Sequence, residues 1–125
     1  MERLNVGILI FDDVEVLDFA GPFEVFSRTR LTPGPESRHD EASAPFHVFT
    51  LARTRDTVRA TGNLLVVPHH GFADAPPIDL LLVPGGFGTR ALLQDAVTPA
   101  WRESRRSRAP QWVVACRPRR SPTLA

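Results

Sequence analysis

Apolar residues in this chain gather in short runs separated by polar stretches, and the spacing of the runs predicts alternating strands and helices. Residues 5–11 (NVGILIF) form a compact apolar run, the mark of a strand buried on both faces in a parallel sheet. Asp12 and Asp13 then turn the chain. From Gly21, the apolar positions Phe23, Val25 and Phe26 fit a short helix to about Thr29, with Pro22 tolerated in its first turn. Residues 31–45 are polar and rich in Pro, Ser and Gly, and read as a surface loop. Residues 46–52 (FHVFTLA) alternate as a second strand. A polar segment with a turn at Gly62-Asn63 leads to a short third strand over 64–67, and 78–83 (IDLLLV) is a second strongly buried strand. Helical patterns follow at 90–94 and 98–108, the latter with Thr98 as N-cap and Pro99 at the first helical position. Residues 112–115 (WVVA) are the last strand. The alternation predicts a three-layer α/β domain with a mostly parallel sheet.

Composition narrows this picture. A chain of 125 residues is one domain by length, and its apolar fraction of 42% and charged fraction of 23% are those of an ordinary globular protein. No apolar run approaches the roughly 20 residues that span a bilayer. The N-terminal apolar stretch is short for a signal peptide and runs into two aspartates, so the cytoplasm is the default expectation. One cysteine makes no internal disulfide, in keeping with a reducing compartment. All 15 basic residues are arginine, most simply the stamp of a GC-rich coding sequence. Their distribution is uneven: residues 1–100 carry 8 Arg against 13 Asp plus Glu, whereas residues 101–125 carry 7 Arg against Glu103 alone.

Candidate chemistry lies after strands. Cys116 follows the last apolar run, where a strand-turn-helix elbow would present its thiolate to a helix N-terminus, although a lone cysteine more often serves as a small buried hydrophobe. Asp18 and Glu24 follow the first strand and would open on the same sheet edge. A carboxyl group beside a thiolate is held protonated and serves as a proton donor; Asp18 taken by itself reads better as a helix cap. Gly85 and Gly86 after a buried strand offer unobstructed amides for an oxyanion, or simply a tight turn. The GGFG spelling lacks the three-glycine spacing of a dinucleotide fingerprint. His69 and His70 are adjacent, point in different directions on a strand, and read as surface or loop residues rather than metal ligands. The Arg clusters at 105–108 and 117–120 have no interleaved aromatic residues, so nucleic acid is not expected as a partner of this chain alone.

Taken in order, VGILIFDDVEVLDFAGPFEVF, FHVFTLA, IDLLLVPGGFGTRALL and WVVAC resemble the N-terminal half of the DJ-1/PfpI superfamily over about residues 4–116. The resemblance implies a flavodoxin-like, class I glutamine amidotransferase-like fold. The LDxxGPxEV form of the first turn resembles the isonitrile hydratase branch, and also the amidase-like sensor domain of AraC-type transcription regulators. It implies Cys116 as elbow nucleophile, Asp18 as its acidic partner, Gly85 and Gly86 as oxyanion-stabilising backbone, and a matching position without assigned role at Glu24. The implied activity is cysteine-dependent lyase or hydrolase chemistry: water adds to a small-molecule isonitrile, giving an N-substituted formamide. No metal or organic cofactor is implied; a homo-oligomer is expected separately, because a sheet face without the helix that follows the cysteine is left uncovered.

After the cysteine the pattern breaks. Family members continue with a small residue, glycine and an apolar helix; here RPRRSPTLA follows. Residues 1–116 are therefore expected to be the N-terminal part of such a domain, and 117–125 an atypical basic tail of the kind a reading-frame shift produces. The C-terminal part of the fold, with its later histidine, is then missing and activity impaired. The alternatives are a regulator's sensor domain without its DNA-binding part, or a non-functional fragment.

Overall fold

A computed structural model describes residues 2–86 and the strand Trp112–Ala115, the latter as backbone. Five strands form one parallel sheet in the order β5-β2-β1-β6-β7, where β1 is Leu4–Leu9, β2 Phe46–Ala52, β5 His70–Gly71, β6 Leu80–Val83 and β7 Trp112–Ala115. Strand β1 lies at the centre, with Leu4 to Leu9 opposite Phe46 to Leu51 on one side and Val6 to Ile8 opposite Leu80 to Leu82 on the other. Its residues Val6, Ile8 and Leu9 are almost wholly buried, as a strand flanked on both edges and covered on both faces requires. The expected α/β class with a parallel sheet is what the chain adopts. The helices expected at 90–94 and 98–108 lie outside the described residues.

The chain runs from β1 outward to β2 and β5, then returns to the other side of β1 for β6 and β7. The sheet therefore reverses its winding between β1 and β6, and the carboxyl ends of these two strands flank the crevice where open α/β sheets bind ligands.

The helix α1, Val16–Arg28, starts five residues before the position expected from Gly21. Phe19, Ala20, Phe23 and Phe26 recur at helical spacing with Val16 and pack on the core, so burial extends the helix back to the turn. Pro22 sits inside it rather than in its first turn. Phe26 meets Phe46 of β2 edge to face at 5.0 Å. The helix ends where the Thr29 hydroxyl donates to the Val25 carbonyl.

The loop over 31–45 is more ordered in its bonding than its spelling suggests. It holds a 3-10 turn, Pro35–His39, and the Arg30 guanidinium donates to the carbonyls of Ser27, Thr29, Ser37 and Asp40.

The expected third strand is a correction. Within 64–67 only Leu65–Val66 (β4) is paired as strand, antiparallel with Val58–Arg59 (β3) in a separate two-stranded ribbon. Val58 and Ala60 are buried while Leu64, Leu65 and Val67 face outward, so this segment lacks the two-sided burial of a central strand. The sheet edge is instead taken by β5, over His70–Gly71, where the sequence suggested surface or loop.

Candidate active site

The turns after β1 and β6 are in direct contact. Val14 and Gly86 form an antiparallel bridge, and the Glu15 amide donates to the Gly85 carbonyl at 3.0 Å. Gly86 has φ +139°, and a Cβ there would lie 2.4 Å from the Asp13 carbonyl oxygen. Glycine at this position thus answers two demands, a left-handed backbone and close approach of the neighbouring turn. The described interaction of Gly85 uses its carbonyl, and it ties the turn expected to supply oxyanion amides to the start of α1.

Asp18 lies in the first turn of α1 and is half-buried. The N-cap is Glu15, not Asp18, and no side chain caps the helix; the capping role read for Asp18 is corrected. Its amide donates to the Glu15 carbonyl, and its carboxylate sits where the positive end of the helix dipole favours negative charge. Pro22, four residues on, has no N–H to offer the Asp18 carbonyl, so the helix is opened beside this residue. Glu24 is exposed and about 240° round the helix axis from Asp18. The two carboxylates are not brought together.

Strand β7 pairs in parallel with β6, Ala115 opposite Val83. Cys116 follows Ala115 in sequence and lies outside the described residues. The turn holding Gly85 and Gly86 thus meets Val14 and Glu15, just ahead of Asp18 in the chain, at the β1/β6 switch point, and β7 runs alongside.

Sequence reasoning missed the residues that hold this corner. Asp13 has φ +63°, a conformation aspartate tolerates, and its neighbour Asp12 accepts the Arg59 amide on Oδ1 at 3.0 Å. The Asp12-Asp13 pair was legible as a turn, but its partners lie some 47 positions away.

A second polar cluster flanks β2. The Thr50 amide donates to His69 Nδ1 at 3.0 Å, the Thr50 hydroxyl lies 2.9 Å from the same nitrogen, and the imidazole stacks on Phe23 at 6.2 Å. Burial, with the neighbouring His70 and His47, pushes the His69 pKa down. His70 turns the other way, edge-on to Phe49 and 3.3 Å from Asp74. Asp74 also pairs with Arg55. The Gly71 amide, then Arg55 and His70, hold the Asp74 carboxyl down at about 2. Among the described residues, no group of three or more His, Cys, Asp or Glu is placed to hold a metal ion, and no helix is long and apolar enough to cross a membrane.

No protein-family model matches the chain. An isonitrile hydratase of Pseudomonas putida is 28% identical over 114 residues, covering 90% of this chain and 43% of the relative. The chain thus spans less than half the length of the curated relative it matches. Among solved structures, a ThiJ/PfpI family protein from Pseudomonas syringae superposes with TM-score 0.73 at 24% identity, covering 92% of this chain and 42% of that one. Drosophila melanogaster DJ-1beta gives 0.68 at 16%, covering 91% and 55%. A putative transcriptional regulator from Vibrio parahaemolyticus gives 0.65 at 14%, covering 91% and 56%. These structural likenesses are of fold.

Proposed function

We infer that this chain, which belongs to the DJ-1/PfpI superfamily, carries the nucleophile and acid of a cysteine-dependent hydratase acting on small isonitriles. The observation that carries the reading is the joining of the β1 and β6 turns at the switch point of the sheet, through Glu15 and Gly85. The sequence likeness to an isonitrile hydratase supports the substrate class.

In this reading the Cys116 thiol attacks the terminal carbon of R–NC or assists the attack of water. In the covalent route the S–H adds across that carbon, giving a thioimidate R–N=CH–S. Water then adds to the same carbon, the C–S bond breaks, and R–NH–CHO leaves with the thiol regenerated. Atoms balance with one water consumed and no oxidant or reductant. Asp18 carries the proton between sulfur, nitrogen and water. The amides of Gly85 and Gly86 stabilise the oxygen that water contributes. Glu24, exposed on the far side of α1, has no step here.

The test is to incubate the 125-residue chain with an alkyl isonitrile and follow formamide by proton NMR. Formation is expected to vanish in Cys116→Ala and fall about a hundredfold or more in Asp18→Asn. Product from Cys116→Ala at the wild-type rate, or none from wild type, overturns it.

Self-association belongs to the same proposal. Leu17 and Val25, eight residues apart on one stripe of α1, are 75% and 66% exposed, and they would be covered in a homo-oligomer. Sedimentation velocity of wild type and Leu17→Glu checks this, with a shift to the monomer expected in the variant.

A second reading is a sensor domain of a transcription regulator, favoured by the fold likeness to the Vibrio protein. It predicts ligand binding without turnover in the same NMR experiment.

A further inference from the structure

The turn that carries the chain from β1 into α1 is held from outside the sheet. Two residues of the β3–β4 ribbon and its adjoining turn, Arg59 and Thr61, make four hydrogen bonds to three consecutive turn residues. The Arg59 amide donates to Asp12 Oδ1 at 3.0 Å and the Arg59 carbonyl accepts from the Asp13 amide at 2.8 Å. The Thr61 amide donates to the Val14 carbonyl at 3.0 Å, and the Thr61 hydroxyl to the Asp13 carbonyl at 3.3 Å. The next residue's amide, that of Glu15, is held by the Gly85 carbonyl of the turn after β6. The ribbon is too short to stand alone, with two residues in each strand. It is a separate sheet and adds no strand to the main one.

We propose that this ribbon is a clamp whose function is to place Asp18, with Asp12 and Thr61 as positioning residues. The inference rests on the reading that Asp18 acts at the β1/β6 switch point. The line of force is short: Arg59 and Thr61 fix Asp12 to Val14, the next residue is the N-cap Glu15, and the Glu15 carbonyl holds the Asp18 amide. Asp13 at φ +63° is the joint that turns the chain toward the helix, and its carbonyl is the group against which Gly86 packs. A slackened clamp leaves α1 packed through Phe19, Phe23 and Phe26 while its first turn shifts.

The experiment compares the full 125-residue wild type with Asp12→Ala, Asp12→Asn, Thr61→Val and Asp18→Asn. It reads residue-resolved amide exchange, and the rate of Cys116 alkylation by iodoacetamide across pH. Asparagine retains the Oδ1 acceptor and removes the charge, so it separates the hydrogen bond from the electrostatics. Asp12→Ala is expected to speed exchange about tenfold at Arg59, Asp13, Glu15 and Asp18 while Ile8 and Leu51 keep their protection. It should also displace the alkylation profile in the direction that Asp18→Asn does, and Asp12→Asn should restore both. Thr61→Val, a milder lesion that keeps the Thr61 amide, should show the same pattern with smaller amplitude. Unchanged exchange over residues 13–18 in Asp12→Ala, or an equal rise at Ile8 and Leu51, overturns the clamp. If Asp18→Asn leaves the alkylation profile unmoved, the catalytic reading of Asp18 fails, and the exchange pattern alone decides the clamp.

Discussion

The amide of Glu15 and the carbonyl of Gly85, 70 positions apart in the chain, are joined by a 3.0 Å hydrogen bond. It closes the end of the crevice between β1 and β6 and seats Gly86 against Asp13. Alanine at 86 would need φ near +139° and would drive its methyl into the Asp13 carbonyl at 2.4 Å. Gly86→Ala is expected to lose about 2 kcal/mol or more of stability in urea unfolding, from strain at the left-handed position alone. An unchanged slope with a lowered midpoint would show a loss of stability without a change in the compactness of the denatured chain.

Gly7 sits in the centre of β1 for a reason of space. A Cβ there would meet Ile78 Cδ1 at 3.1 Å, Leu51 Cδ2 at 3.2 Å and Phe49 Cε2 at 3.3 Å. These side chains close over the strand and are themselves almost fully buried. Gly7→Ala is expected to cost about 1–3 kcal/mol by overpacking, read from the denaturation midpoint. Gly7→Ala combined with Ile78→Val should recover part of that loss, because the nearest contact is the methyl that valine lacks.

Local patterning made β1, β2, β6 and β7 readable: β1 and β6 as compact apolar runs, the trace that burial on two faces leaves in a parallel sheet, β2 as an alternating stretch, and β7 as a short apolar run. The Gly85-Gly86 turn was legible too, because no other residue pair marks a sharp exit from a buried strand so clearly. What the pattern hid was set by tertiary partners. The helix α1 was read as starting at Gly21 because Pro22 resembles a first-turn proline, whereas Val16 and Phe19 find core contacts that carry the helix further back. Strand β5 has two residues, too few for any period, and exists because Leu51 and Ala52 offer it an edge. The support of Asp12 by Arg59 joins sites 47 positions apart and has no local signature.

Asp74 gives an acid limit to stability. Its carboxyl is held at about 2 rather than 3.8, first by the Gly71 amide and then by Arg55 and His70. A carboxylate with a depressed folded-state pKa contributes stability above its unfolded value of 3.8, and that contribution disappears as pH falls toward 2. The stability difference between wild type and Asp74→Asn, measured by urea melts, is therefore expected to be constant above pH 3.8 and to shrink steadily below it. Arg55→Ala should narrow that window, since it removes one of the partners that keep the carboxylate ionised.

His69 sets a second limit nearer neutrality. The Thr50 backbone amide only donates, so His69 Nδ1 must accept, and the neutral ring carries its proton on Nε2. Protonation at Nδ1 would break this bond and place a cation beside His70 and His47, against a pKa already lowered by burial. Because the folded-state pKa lies below 6.5, the unfolded chain binds the proton first as pH falls. Stability attributable to His69 is fully present above pH 6.5 and declines below it, through the lowered folded-state value. His69→Gln, neutral throughout, should lose this part of the slope while its melt at pH 8 stays within a factor set by the lost stacking on Phe23. Nitrogen-15 spectra should show His69 as the Nε2–H tautomer at neutral pH. A wild-type slope identical to that of His69→Gln between pH 7 and 5, or a protonated Nδ1 at neutral pH, would contradict the assignment.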